Sequence, residues 1–332
     1  MASLGVSLEY LLNYLLFIAK FLSVIFVLVA ALVALAASRQ KNKIEVLNLN
    51  NKYTEQAFYI LSFSAPAKFI KAQKKRLKGA KKEERPCLYV LDFNGDVSAL
   101  EVEQLRDEIS YVLIAAKRGD SVLLRLQSPG GTVNGYGLAA AQLERIKSAG
   151  FRLEIMVDSV AASGGYMMAA VADRIYCAPL AIIGSIGVIG SLPNFNRFLK
   201  EHKIDYEQHT AGKFKRSLTV LGENNEEGRE KFKQDLEGIH KLFKSHISSH
   251  RPHLDLDKVA TGEYWFGRDA LALELVDEIK TSDALIIERI KSGVLVLSVS
   301  TPKPRPNAIK KLLAQVLSKI SLRLEDKPLA RL

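Results

Sequence analysis

The chain has 332 residues, 48% of them hydrophobic and 25% charged, with two cysteines, Cys87 and Cys177. This is ordinary globular usage and excludes a disordered, collagen-like or disulfide-stapled protein, and two thiols cannot build a tetrahedral cysteine cage. The formal charge of +11 is unevenly spread: residues 1–85 carry 14 Lys/Arg against 5 Asp/Glu, residues 301–332 carry 8 against 2, and the stretch between carries 25 against 29. A slightly acidic middle flanked by basic ends argues against a nucleic-acid partner.

From Tyr10 to Ala37 the sequence is apolar apart from Asn13 and Lys20, and its uncharged part, Phe21–Ala37, is 17 residues long. With the residues back to Leu11 this is ample for one membrane span, with Lys20 reaching an interface. The alternative is a cleaved signal peptide ending near Ala34-Leu35-Ala36, but the segment before Lys20 is too long and apolar for a charged leader. The first 43 residues are therefore expected to be an N-terminal transmembrane anchor. Residues 44–85 then read as a basic juxtamembrane extension, with Arg39, Lys41 and Lys43 before it and nine Lys/Arg between Lys68 and Arg85. The positive-inside rule puts this flank in the cytoplasm, and attraction to anionic headgroups adds about 1 kcal/mol per basic residue at a bilayer surface.

The folded domain is expected to begin at Pro86 and run to residue 300. It alternates short β-rich runs with helical patterns, which predicts an α/β fold. Strands are expected at Cys87–Phe93, Val122–Leu126, Leu153–Val157 and Arg174–Cys177. Helices are expected at Ala99–Lys117, Tyr136–Lys147, Ser163–Val171 and Glu226–Ser248. The near-continuous apolar character of the first two strands suits a sheet covered on both faces. Beyond Pro302, Pro304 and Pro306, residues 301–332 read as a linker and a basic amphipathic helix over Ala308–Leu324, for a membrane, a partner subunit or its own domain.

Three strand ends carry glycine clusters: Ser128-Pro129-Gly130-Gly131, Ala162-Ser163-Gly164-Gly165-Tyr166, and Gly184-Ser185-Ile186-Gly187. Such junctions leave backbone N–H groups free to face an anion or an oxyanion, although each alone is equally a tight turn. Neither a phosphate-binding loop nor a dinucleotide fingerprint is present. Ser163 is the best nucleophile candidate, with a plain helix cap as its other reading, and Ala161 excludes the G-x-S-x-G elbow. Six histidines could serve as its base. His240, His246, His250 and His253 lie in or near a charged helix and read as surface residues, while His209 falls in a plausible strand, YEQHT. A lysine from Gly212-Lys213-Phe214-Lys215 is the competing base. A lysine with the ordinary value near 10.4 costs about 4.6 kcal/mol to neutralise at pH 7, so burial or a neighbouring hydroxyl such as that of Ser185 has to help.

Taken together, these segments resemble the signal peptide peptidase A family of membrane-bound serine proteases, over about residues 1–300. The resemblance implies Ser163 as nucleophile and Lys215, rather than Lys213, as general base. It implies oxyanion contacts from the N–H groups of Gly130 and Gly164, and a Ser185 hydroxyl supporting the lysine. It also implies a substrate groove lined by Gly131, Gly165 and Tyr166. The fold implied is the ClpP/crotonase type, a spiral sheet with outer helices, in a homo-oligomeric ring or dome whose neighbours complete the site. Peptides or envelope proteins at a bacterial inner membrane are the implied substrates, with no metal and no cofactor. Arg216 departs from the family pattern, which more often has a carboxylate or small polar residue after the lysine. Two other classes stay open at this point: an acyl-CoA enzyme of the same fold, and a non-catalytic membrane scaffold.

Overall fold

The computed structural model describes residues 14–25, 44–80 and 85–302. Residues 14–25 are helical (α1), and among the described residues no helix is long and apolar enough to cross a membrane. Most of the expected span over Tyr10–Ala37, and the whole expected helix over Ala308–Leu324, lie outside the described residues. Contacts divide the chain into two units, Met1–Ile44 with Pro302–Leu332, and Glu45–Thr301. The site belongs to the second unit.

In chain order that unit contains β1 (Glu45–Asn48), α2 (Leu49–Leu61), α3 (Ala67–Ala80), β2 (Cys87–Asn94), α4 (Val102–Ala115), β3 (Ser121–Gln127) and α5 (Val133–Ser148). Next come β4 (Arg152–Val157), β5 (Val160–Ala162), α6 (Gly164–Ala170), β6 (Arg174–Cys177), β7 (Ile182–Gly184), α7 (Asn196–Glu201) and α8 (Glu226–His250). The last elements are α9 (Leu256–Val259), β8 (Tyr264–Phe266), α10 (Gly267–Ala272), β9 (Glu278–Ile279), α11 (Ser282–Lys291) and β10 (Leu295–Ser300). The expected α/β alternation is present, and each of the four predicted strands is found within one residue of its expected ends.

Seven strands form one sheet in the order β1-β10-β2-β3-β4-β6-β9, parallel except where β1 runs against β10. The first five residues of β2 are all buried, as expected of an inner parallel strand with cover on both faces. On one face Leu88 and Val90 join Leu123, Met156, Tyr176 and Val296, with Leu285 and Ile286 of α11 and Leu49 of α2 packed over them. Phe93, of the opposite parity, meets the ring of Tyr136 from α5 edge-on. Full burial of a Leu or Phe contributes about 1.5–3 kcal/mol, so this two-sided core holds the strand ends firmly.

The boundary expected at Pro86 falls inside the compact unit. Asn48 caps α2 by accepting the Asn51 N–H at 2.9 Å, and Asn50 binds Val294 O at 2.8 Å and the Val296 N–H at 2.7 Å. Residues 45–50 therefore pair with and cap the last strand of the sheet. A second sheet, β5-β7-β8, sits at the ends of the first, joined to it where Ser128 bridges to Ala161. The three glycine-rich segments follow the carboxyl ends of β3, β5 and β7.

Candidate active site

Parallel register places two serines side by side. β5 and β7 pair Val160 with Ile182, Ala161 with Ile183 and Ala162 with Gly184, so Ser163 and Ser185 follow at the same rim. The Ser163 N–H donates to Gly184 O at 2.8 Å. Both serines have a φ of 51°, in the left-handed region that a β-carbon disfavours. Such strain costs on the order of 1–3 kcal/mol and persists only where the surroundings over-determine it. Around Ser163 they do: Ala161 and Ala162 are buried before it, and Gly164 and Gly165 are buried after it. Gly164 is the first residue of α6, so its N–H has no acceptor within the helix.

The Ser128-Pro129-Gly130-Gly131 segment lies directly against this serine. Gly130 has a φ of +92°, and a β-carbon there would come within 2.6 Å of Ser163 Cβ and 2.8 Å of the Gly164 nitrogen, so only glycine fits. Its N–H donates to Ser128 Oγ at 3.0 Å. The Ser128 hydroxyl meets the Tyr136 hydroxyl, which in turn donates to Asp96 O at 2.7 Å. Gly130, Ser128, Tyr136 and Asp96 thus form a buried relay in which each hydrogen bond polarises the next. Burial pushes the Tyr136 phenol above its ordinary value, against the lowering effect of Ser128. The sequence gives no sign of this relay beyond the serine before Pro129, because Tyr136 reaches Ser128 only after the loop has closed. In this structure the Gly130 N–H expected to face an oxyanion donates to Ser128 Oγ.

Ser163, Gly131 and Gly164 line one cavity of about 90 Å³, walled by Val133, Met167, Val188 and Ile189 and by Ile239 and Phe243 of α8. Most of the side chains lining it are apolar. Gly165 and Tyr166, expected in the groove, face the core instead. Gly165 packs against Ser128 O, and Tyr166 is fully buried with its hydroxyl donating to Leu275 O at 2.9 Å. An aromatic after two glycines suggests a groove from sequence, but the helical turn of α6 carries it inward.

Lys215 is held elsewhere. It closes a turn whose N–H bonds Gly212 O at 3.1 Å, with Gly212 at a φ of +96°, and it is exposed. It lines a different cavity from Ser163, together with Leu192, Tyr206, Thr210, Arg216 and Val220. Lys213 pairs with Glu227 at 2.5 Å and lies over the Phe214 ring. Among the described residues Lys215 has no ion-pair partner, so of the two lysines it is the one whose amine is uncommitted. The Ser185 hydroxyl points to Gly262 O at 3.4 Å. Within one chain the structure brings Ser163, Ser185, Gly130 and Gly164 together, and Lys215 lines another cavity.

The histidine reading gains nothing. The strand expected over YEQHT is irregular, exposed chain, and His209 Nε2 meets Glu207 at 3.4 Å. No histidine lines the Ser163 cavity among the described residues. His246 and His250 are half-buried rather than on the surface, and burial holds the His246 imidazole below its ordinary value. Cys87 and Cys177 are free and buried, their thiols pushed up to about 11 chiefly by burial, so neither competes as a nucleophile.

Residues 9–143 match the family model described as peptidase family S49 N-terminal, and residues 145–294 match that of peptidase family S49. A protein described as probable protease SohB from Haemophilus influenzae is 48% identical over 309 residues, covering 85% of this chain and 87% of the relative. The chain belongs to peptidase family S49. Another probable protease SohB, from Buchnera aphidicola of Schlechtendalia chinensis, is 45% identical, over 85% of this chain and 100% of its own length. The chloroplastic serine protease SPPA of Arabidopsis thaliana is 30% identical, over 59% of this chain and 29% of its own length. This S49 peptidase is accordingly a serine protease, which removes the acyl-CoA alternative. Ser163 stands on a strained rim, lining a cavity walled mostly by apolar side chains, beside the first N–H of α6.

Proposed function

We propose that this S49 peptidase is a membrane-anchored serine endopeptidase in which Ser163 attacks the peptide bond and Lys215 of a neighbouring copy is the general base. The observation that carries it is that Ser163 and Lys215 line different cavities. Among the described residues no histidine or lysine lines the Ser163 cavity, and Lys215, exposed and without an ion-pair partner, lines a different one. A head-to-tail ring would bring one to the other at every interface, and exposed Leu192, Phe195, Phe198 and Ile204 near the lysine loop suit such a contact. The central sheet with a second sheet at its strand ends supports the ClpP/crotonase spiral, for which assembly is the rule implied by the resemblance.

In the reaction, neutral Lys215 takes the Ser163 hydroxyl proton as Oγ bonds to the carbonyl carbon. The Gly164 N–H and the Gly130 N–H, exchanging Ser128 Oγ for the new acceptor, hold the oxyanion; a donor of this kind contributes about 3 kcal/mol. The lysine ammonium then protonates the leaving amine as the C–N bond breaks, and water releases the acyl group by the same path in reverse. Ser185, directly across the β5–β7 register from Ser163, would meet the incoming amine. The cavity favours a small apolar side chain next to the scissile bond, as in remnant signal peptides or envelope proteins. The apolar run Tyr10–Ala37 supports a single span in a bacterial inner membrane, with the basic flank putting the peptidase unit on the cytoplasmic side.

Ser163→Ala and Lys215→Ala should each lower kcat at least about a thousandfold. Mixed in equal amounts and reassembled, the two inactive variants should recover about a quarter of wild-type activity, because random ring positions reunite one intact serine with one intact lysine. Recovery absent from a mixture that has demonstrably co-assembled rules out the shared dyad. Activity in either variant alone rules out the residue.

A further inference from the structure

We infer that Glu144, His246 and His250 form a binding site for a transition-metal ion, with Zn2+ the ion that suits the donors best. His246 and His250 are one turn apart on the same face of α8, and Glu144 comes from α5. One ligand atom from each lies within 4.8 Å of the other two, and all three residues are half-buried. His250 Nε2 is 3.0 Å from Glu144 Oε1, and the two imidazoles stand with centroids 4.7 Å apart. Ligands on one tetrahedral Zn2+ are about 3.3 Å from each other, so small side-chain rotations close the set. Two imidazoles and a carboxylate, with a fourth position left to water, is an established donor set for Zn2+ and too nitrogen-rich for Mg2+ or Ca2+.

The surroundings suit an ion more than a pair of surface histidines. His246 Nε2 lies 3.0 Å from Met167 O, and a backbone carbonyl on one ring nitrogen is the usual partner of an imidazole whose other nitrogen binds metal. Met167 lines the Ser163 cavity, as does Phe243, three residues before His246 on α8. An ion here would clamp α8 to α5 directly behind the cavity wall. The peptidase reaction as derived above uses none of these three residues, so the site stands independently of it.

The test uses the full-length, untagged chain in detergent, loaded with Zn2+ and passed through metal-free buffer. The site predicts about one retained equivalent of Zn2+ per chain, and, after exchange to Co2+, the intense visible absorption of a four- or five-coordinate ion. His246→Ala, His250→Ala and the milder His250→Gln should each weaken retention at least about tenfold, while His240→Ala and His253→Ala leave it unchanged. Zn2+ should raise the melting temperature of the wild type and not that of His250→Gln. Less than about a tenth of an equivalent in the wild type, or equal retention in variants that keep the wild-type circular dichroism, overturns the site and leaves two hydrogen bonds, His250 to Glu144 and His246 to Met167.

Discussion

Tyr136 is the residue on which the Gly130 loop rests. Its ring stands where a β-carbon on Gly164 would have to go, and its hydroxyl joins Ser128 to Asp96 O. Tyr136→Phe keeps the ring and deletes the middle of the relay, taking from the buried Ser128 hydroxyl its Tyr136 partner, while Asp96 O keeps the Ala99 N–H. The expected outcome is a loss of about 1–3 kcal/mol in stability. Steady-state kinetics should show kcat reduced about tenfold with KM nearly constant, since the Gly130 donor acts on the oxyanion and not on substrate binding. A change confined to KM would assign Tyr136 to the groove instead. At this scale the close packing around Ser163 was legible, because a serine between two alanines and two glycines leaves room for a tight approach. Tyr136 and the inward turn of Tyr166 were not, because helix rotation decides both and composition does not.

At the scale of elements, legibility followed burial. The inner strands β2, β3 and β4 announce themselves as short apolar runs because helices cover both of their faces. β1 does not: it is four residues, EVLN, mostly exposed, and its partner β10 lies some 250 residues away, so nothing local marks it as a strand. The end of α8 is another feature that sequence hides. Arg251 caps that helix in a buried position, with two guanidinium nitrogens each 2.9 Å from a different oxygen of Asp277 and one 2.8 Å from Glu274 O. Burial pushes the Asp277 carboxyl upward, but Arg251 and the Ile175 N–H outweigh it and hold it below the ordinary value. A carboxylate lowered on folding stabilises the protein above its unfolded pKa, and that contribution fades as the pH falls through the folded value. Asp277→Asn should therefore cost about 3 kcal/mol at pH 7 by stranding a buried guanidinium. The gap between variant and wild type should narrow in urea melts below about pH 4. A gap that stays constant across that range would mean that the pair is not what holds α8 down.

On the scale of the whole molecule, the charge that dominates the composition lies outside the peptidase unit or at its edge. Residues 44–85, which read as a solvated basic extension, begin with a strand and a capped helix that belong to the fold. A chain cut to Glu45–Thr301 should melt within a few degrees of the full-length protein. One starting at Pro86 loses β1, buried Leu49 and the Asn50 clamp on Val294 and Val296, and should be weaker by at least about 3 kcal/mol. Equal stability of the two truncations would return the boundary to Pro86.

The register of β1 on β10 has a mechanical meaning as well. Glu45 and Ser300 are partners across the ladder, so the chain enters and leaves the peptidase unit at one point on the rim of the sheet. Any pull transmitted through the flanking segments arrives at that corner and peels a four-residue strand. Because β10 runs parallel to β2 and β2 to β3, that corner lies at the carboxyl end of the strands, the end that also carries Ser128, and a pull there has to strip β1 and β10 before it reaches β2 and β3.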